Sequence, residues 1–343
     1  MKNFVVTALL FVIFINPLFP QINYRDIDAW LPDTIHLALG NTIELYNDNI
    51  AFLKLSDTLT KFSWDHAEGT SDDKKFQWTA DHTGNINLKI KICNEGVSDS
   101  AMTILKVAEK TGAGTLNLLA IGNSLTNRGF EDQFIQISSD LSCSLNPVGT
   151  LGTTYKHEGH GGWRFDSFLR ESSPFFFTDT VSISKYIMKN NFPDPDVIKI
   201  SLGINDCYGN LAMDTILTNA YMLIDTVYHD CPNSLIIIAL PSSCEKTGSG
   251  WLASYGKMDN FERYQLRIRE LWKNIHNKYA YGKYKPNIHV SYDGLCIDRT
   301  NGFPEDNGVH PNKQGYMQLA RGFSNTLNYY LKNYDRDTVK ADK

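Results

Sequence analysis

Four near-continuous apolar runs constrain this chain most: "LNLLAIG" at 116–122, "VIKISLG" at 197–203, "SLIIIALP" at 234–241 and "IHVSYDG" at 288–294. A strand that is apolar on both faces has no wet side, so it belongs in a parallel sheet with helices above and below. Helical periodicity lies between and after the runs. Phe261, Tyr264, Ile268, Leu271, Trp272, Ile275 and Tyr279 recur on one face of one segment. Tyr316, Leu319, Ala320, Phe323, Leu327 and Tyr330 do the same near the end. This alternation predicts a doubly wound α/β domain over residues 116–335, with its functional groups at the C-terminal ends of the strands.

Residues 22–108 follow a different pattern. Short stretches such as "TIELYND", "KFQWTAD" and "NINLKIKI" are separated by turn-forming residues. Ile86, Leu88, Ile90 and Ile92 alternate with Asn87, Lys89 and Lys91, as in a sheet with one solvated face. A small immunoglobulin-like β-sandwich is expected here, joined to the α/β domain by the Gly-bearing linker 109–115.

The first residues place a lysine ahead of "FVVTALLFVIFINPLF". Residues 1–21 read as a secretory signal, which implies export to the periplasm or the exterior. The segment is too short, and too interrupted at Asn16 and Pro17, for a stable membrane span after cleavage. An oxidising compartment permits disulfides among Cys93, Cys143, Cys207, Cys231, Cys244 and Cys296, but their spacing selects no pairing and forms no CxxC zinc motif. The formal net charge of −5, without a basic stripe, gives no reason to expect a nucleic-acid partner. The sequence leaves the oligomeric state open.

Chemistry-bearing residues cluster at the predicted strand ends. Ser124 follows the first apolar run in "IGNSLTN"; a serine hydroxyl becomes a nucleophile only when a base takes its proton and fixed donors hold the oxyanion. "EGHGGWRF" at 158–165 offers backbone N–H groups in a glycine-rich turn, and "LGIND" at 202–206 offers the neutral amide of Asn205. "DNGVHPN" at 306–312 offers His310 as general base, just ahead of the last helix. "HEGH" at 157–160 fails as a zinc motif, because its histidines are three apart among glycines rather than four apart on a helix. No metal and no cofactor is expected. The aromatics that follow, Trp163, Phe165, Phe168, Phe175, Phe176 and Phe177, are expected to be core rather than subsite.

The four blocks in this order resemble the SGNH (GDSL-type) hydrolase family, over roughly residues 115–335. "GNSLT" resembles the serine block, with Asn123 where many members carry aspartate; "GHGGW" resembles the glycine block, "GIND" the asparagine block and "VHPN" the histidine block. The resemblance implies a flavodoxin-like three-layer fold. It also implies Ser124 as nucleophile, His310 as base, and an oxyanion hole made by the N–H groups of Ser124 and Gly162 with the Asn205 side chain. One departure stands out. The family places an orienting aspartate three residues before the histidine, and here that residue is Asn307, with Asp306 one further back. Asp306 is the expected third catalytic residue; the alternatives are a Ser–His dyad helped by a carbonyl, or low activity.

The resulting expectation is an exported serine esterase that removes acyl groups, foremost acetyl, from an acylated carbohydrate. A lipolytic esterase or thioesterase uses the same machinery. From another class, the chain could be a glycan-binding protein inactivated by the change at Asn307.

Overall fold

Along the strand Thr115–Gly122, Leu118 and Ala120 face one buried cluster and Leu119 and Ile121 another. That period-two division, with both sets buried, makes this strand the middle of a three-layer sandwich. The computed structural model describes residues 27–53, 59–94, 96–110, 114–209 and 211–332. The expected signal segment 1–21 lies outside the described residues, as do residues 111–113 of the expected linker.

The sheet runs in the order Ser144–Val148, Thr115–Gly122, Val197–Ser201, Leu235–Ala239 and Ile288–Ser291, with every neighbouring pair parallel. In chain order that is 2-1-3-4-5, the flavodoxin-like arrangement, so the doubly wound expectation holds. Helices Ser124–Asp140 and Lys313–Leu331 cover one face; Phe130, Phe134, Phe323 and Leu327 pack there against Leu118 and Ala120. Helices Met213–Asp230 and Phe261–Tyr279 cover the other, in one cluster with Leu119 and Ile121. Lys199 is the exception in its apolar strand. Its buried ammonium lies 3.2 Å from Asp293 and donates to Gln133 Oε1 at 3.0 Å, the partners such a charge requires.

Ahead of this body lie two facing sheets. One has four strands, in the order Thr34–Ala38, Val97–Ala108, Gly84–Asn94 and Lys61–His66; the other has three, Thr42–Tyr46, Lys75–Thr79 and Thr70–Ser71. Ile86, Leu88, Ile90 and Ile92 are buried, while Asn87, Lys89 and Lys91 are exposed. A β-sandwich therefore precedes the α/β body. Polar contacts join the two. Arg269, buried, donates to the main-chain oxygens of Asp28 (2.6 Å), Asn49 (3.2 Å) and Ile50 (2.6 Å), and Asn49 donates to the Ile297 oxygen at 2.7 Å.

All six cysteines carry free thiols, four of them buried. Phe165, Phe168 and Phe175 are core residues, and Trp163 and Phe177 pack on that core half-buried. Among the described residues, no helix is long and apolar enough to cross a membrane.

Candidate active site

The central strand ends where only glycine fits. A Cβ on Gly122 would lie 2.0 Å from Thr126 Oγ1, so the first helix can start directly beneath the strand end. Asn123 caps that helix, its Oδ1 accepting the Leu125 N–H at 2.9 Å. Ser124 is the first helical residue, and its own N–H belongs to the set a helix start leaves without intrahelical partners. The "GNS" turn thus both caps the helix and presents a hydroxyl. Two flanking strands meet Gly122 in register, Gly159 on one side and Ser201 on the other, at the point where the strand order reverses. That switch point is where open α/β sheets place their ligands.

His310 Nε2 lies 2.9 Å from Ser124 Oγ. Its other nitrogen, Nδ1, lies 3.2 Å from Asn307 Oδ1. The same oxygen accepts the N–H groups of Val309 at 3.0 Å and His310 at 2.9 Å. Two main-chain donors can face only the oxygen end of an amide, so the orientation of Asn307 is fixed. Nδ1 must then carry the hydrogen, and Nε2 keeps the lone pair that a base needs. Burial, and after it the positive charge of Arg128, push the imidazole down to about 4, so it stands neutral at pH 7.

The expectation that Asp306 orients His310 is corrected here. Asp306 is exposed, and its main-chain oxygen rather than its carboxylate is what contacts Ser254, at 3.5 Å. Asn307 wins because its side-chain oxygen captures two N–H groups just ahead of it, a local Asx-type turn that aims it at the ring. The imidazole has an orienting partner without a negative charge.

The glycine block folds around a buried carboxylate. Glu158 is fully buried; its Oε1 accepts from Thr150 N (2.5 Å), Thr150 Oγ1 (2.6 Å) and Tyr186 OH (2.5 Å), and its Oε2 lies 2.9 Å from His160 Nε2. Burial alone raises the carboxyl, but hydrogen bonds from His160, Thr150 and Tyr186 outweigh it and hold the group below its usual value. His160 stacks on Trp163 with centroids 4.0 Å apart, and its N–H donates to the Gly122 oxygen at 2.9 Å. Trp163 N–H closes the turn onto the His160 oxygen at 3.2 Å. Inside that turn Gly162 has φ +78°, which favours glycine, and open space where a side chain would stand.

Asn205 lies in the first turn of the short helix Ile204–Tyr208, and its Nδ2 donates to the Trp163 oxygen at 2.8 Å. The amide keeps a second N–H. Ser124 and His310 are therefore in direct contact, and Asn205 and the turn holding Gly162 are linked through Trp163. The neighbouring Asp206 is buried, with Oδ1 accepting the Phe165 N–H at 3.3 Å; burial pushes its carboxyl up to about 7. Asp206 therefore straddles neutral pH beside the site.

Sequence reasoning missed three contributors: Asn307 as the partner of the ring, the Glu158–Tyr186 bond, and Arg128 beside His310. Asn307 stands three residues before His310, where the resemblance puts the orienting residue, but the sequence does not show whether it or Asp306 reaches the ring. Glu158 sat inside the rejected "HEGH", and a carboxylate between a histidine and a glycine was its only signal. His157 and His160 are both occupied, His157 Nδ1 accepting the Gly159 N–H at 3.0 Å. Among the described residues, Glu68, Asp81 and His82 bring ligand atoms within 4.8 Å of one another, on turns of the β-sandwich rather than at this site.

No protein-family model matches the chain. It is 23% identical over 265 residues to a multidomain esterase of Ruminococcus flavefaciens, covering 70% of this chain and 32% of that protein. This chain thus spans about a third of that relative's length. Among solved structures it is similar to the psychrotrophic esterase EstA from Pseudoalteromonas sp., at 14% identity and TM-score 0.41, covering 63% of this chain and 98% of that one. It is also similar to a member of the lipolytic protein G-D-S-L family from Veillonella parvula DSM 2008, at 13% identity and TM-score 0.39, covering 62% and 96%. Superpositions this loose carry no weight beside the sheet order and the Ser124–His310 contact seen in the chain itself. In its ordered motifs, its sheet and its site, the chain resembles the SGNH (GDSL-type) hydrolase family.

Proposed function

We propose that the chain is an exported serine esterase that hydrolyses acyl esters, foremost acetyl esters, on carbohydrates. The observation that carries the esterase reading is the 2.9 Å contact between Ser124 Oγ and a His310 Nε2 whose lone pair is fixed by Asn307. As Ser124 Oγ bonds to the carbonyl carbon, its proton passes to Nε2 and the carbonyl oxygen becomes an oxyanion. The N–H groups of Ser124 and Gly162 and the free N–H of the Asn205 amide hold that oxyanion. Collapse expels the sugar alkoxide, which takes the proton from His310 and leaves an acyl-serine. A water molecule, deprotonated by His310, then releases the acid and restores Ser124.

A short acyl group is supported by the fate of the aromatic cluster: Phe165, Phe168 and Phe175 are packed into the core and are not free to line a long acyl channel. Export is supported by the apolar N-terminal segment alone. The test is turnover of p-nitrophenyl acetate against longer acyl esters with Ser124→Ala as blank, followed by acetate release from a panel of acetylated glycans. Serine-dependent acetate preference is the expected result. Long-chain preference points to a lipolytic or thioesterase role, and absence of serine-dependent turnover to a glycan-binding protein.

A further inference from the structure

A cavity of about 650 Å³ opens between the β-sandwich and the start of the C-terminal helix. That is the size of a small-molecule site. Four cationic side chains line it, Lys74, Lys75, Lys313 and Arg321, against two acids, Glu44 and Asp298. Both acids are already engaged. Glu44 ion-pairs with Lys75 and, at 2.7 Å, with Arg321. Asp298 accepts the N–H groups of Thr300 (2.8 Å) and Asn301 (3.1 Å) and the Asn301 side-chain amide (2.8 Å).

Lys74 and Lys313 are the least engaged of the four, Lys313 only loosely paired with Asp132 and Lys74 only near the Asp72 charge. Both are exposed; the Lys313 ammonium comes no nearer than 4.0 Å to Asp132, and Lys74 has no ion pair among the described residues. The cavity wall is therefore positive in a chain whose net charge is −5. It also lies close to the chemistry. Lys313 follows His310 by three residues, and three residues span at most about 11 Å. Arg128, one helical turn after Ser124 and exposed, adds a cation whose field is felt at His310.

We propose that this cavity is a subsite for a carboxylate-bearing saccharide, the acidic sugar beside the one whose ester Ser124 attacks; the second half of that statement rests on the esterase reading above. The Lys74 and Lys313 ammonium groups take the carboxylate. The exposed Gln314 amide, also on the wall, donates to and accepts from ring hydroxyls. A neutral glycan gains nothing from the lysines, and an acidic peptide lacks the hydroxyls.

The test is calorimetric titration of the full chain carrying Ser124→Ala with tetragalacturonate, cellotetraose and tetraglutamate. Tetragalacturonate is expected to bind at least about tenfold more tightly than either of the others, the worth of one charge-assisted contact. Adding Lys74→Ala and Lys313→Ala is expected to weaken the acidic sugar about tenfold and leave cellotetraose unchanged. Both lysines are exposed, and an unchanged melting temperature verifies the fold. Equal binding of the two sugars, tetraglutamate binding as tightly as the acidic sugar, or a silent double variant each overturns the proposal. Binding is read without turnover, so an absence of esterase activity in the unmutated chain sinks the activity reading while leaving the subsite to stand or fall on its own titration.

Discussion

Two loops beside Ser124 each carry a histidine, and their supports are opposite. His310, the base in the proposed reaction, leans on the neutral Asn307 and is driven toward acid values by burial and Arg128. His160, which touches no reacting atom, leans on Glu158, a buried carboxylate that also gathers Thr150 and Tyr186. The stronger ionic support thus goes to the loop that positions Gly162 rather than to the residue that contacts Ser124. The difference teaches that orienting a ring and charging it are separable tasks. Asn307 does the first, by fixing the tautomer, and cannot do the second.

That comparison can be broken most directly at the contact itself. Ser124→Ala and His310→Ala are each expected to lower kcat about 10⁴-fold or more, measured with p-nitrophenyl acetate. On the other loop, Glu158→Gln is expected to cost about 2 kcal/mol of stability in denaturant unfolding, because the bonds to Glu158 lose their charge. It should also lower kcat, since the turn holding Gly162 loosens. Unchanged stability and turnover would remove the structural role given to the glycine loop.

Asn307→Asp sharpens the contrast. A carboxylate at that position stabilises the imidazolium, so kcat is expected to rise about tenfold, the difference between a neutral and a charge-assisted hydrogen bond. The base must be unprotonated to work, so the acid limb of kcat/KM lies near pH 4 in the unmutated chain and moves upward in the variant. A limb that stays in place shows that Asn307 does not touch the titrating ring in solution.

Two smaller effects complete the series. Asp206 has a folded pKa raised by burial to about 7, so the folded state holds a proton that the unfolded chain has released. Its contribution to stability therefore falls as pH rises from about 4 to about 7. Asp206→Asn, which mimics the protonated acid, is expected to raise the melting temperature at pH 8 and leave it unchanged at pH 4. Last, Asp306→Ala is expected to change turnover less than about twofold, as at other exposed positions without a specific contact.

The fold was legible because its signals are local. Runs such as "LIIIA" declare a strand buried on both faces, and Ile86 to Ile92 declare a strand with one wet face. The meeting of Ser124 and His310 was legible because short motifs fall at strand ends. What could not be read is which polar groups meet across the chain. Glu158 finds Tyr186 and Asn205 finds the Trp163 oxygen only after the sheet has been assembled. The choice between Asp306 and Asn307 was also hidden, because it depends on which side chain curls back onto the N–H groups of Val309 and His310. Charge favoured the aspartate; turn geometry decided for the asparagine.

The guanidinium of Arg269 has a consequence for how the polypeptide comes apart. Its donors end on main-chain oxygens of Asp28, Asn49 and Ile50 and, at 3.3 Å, on the Asp28 carboxylate, all supplied by the segment ahead of the α/β body. Stripping that segment away would leave a cation inside the remaining body with nothing to bind. The β-sandwich and the α/β body are therefore expected to melt in a single calorimetric transition rather than in two.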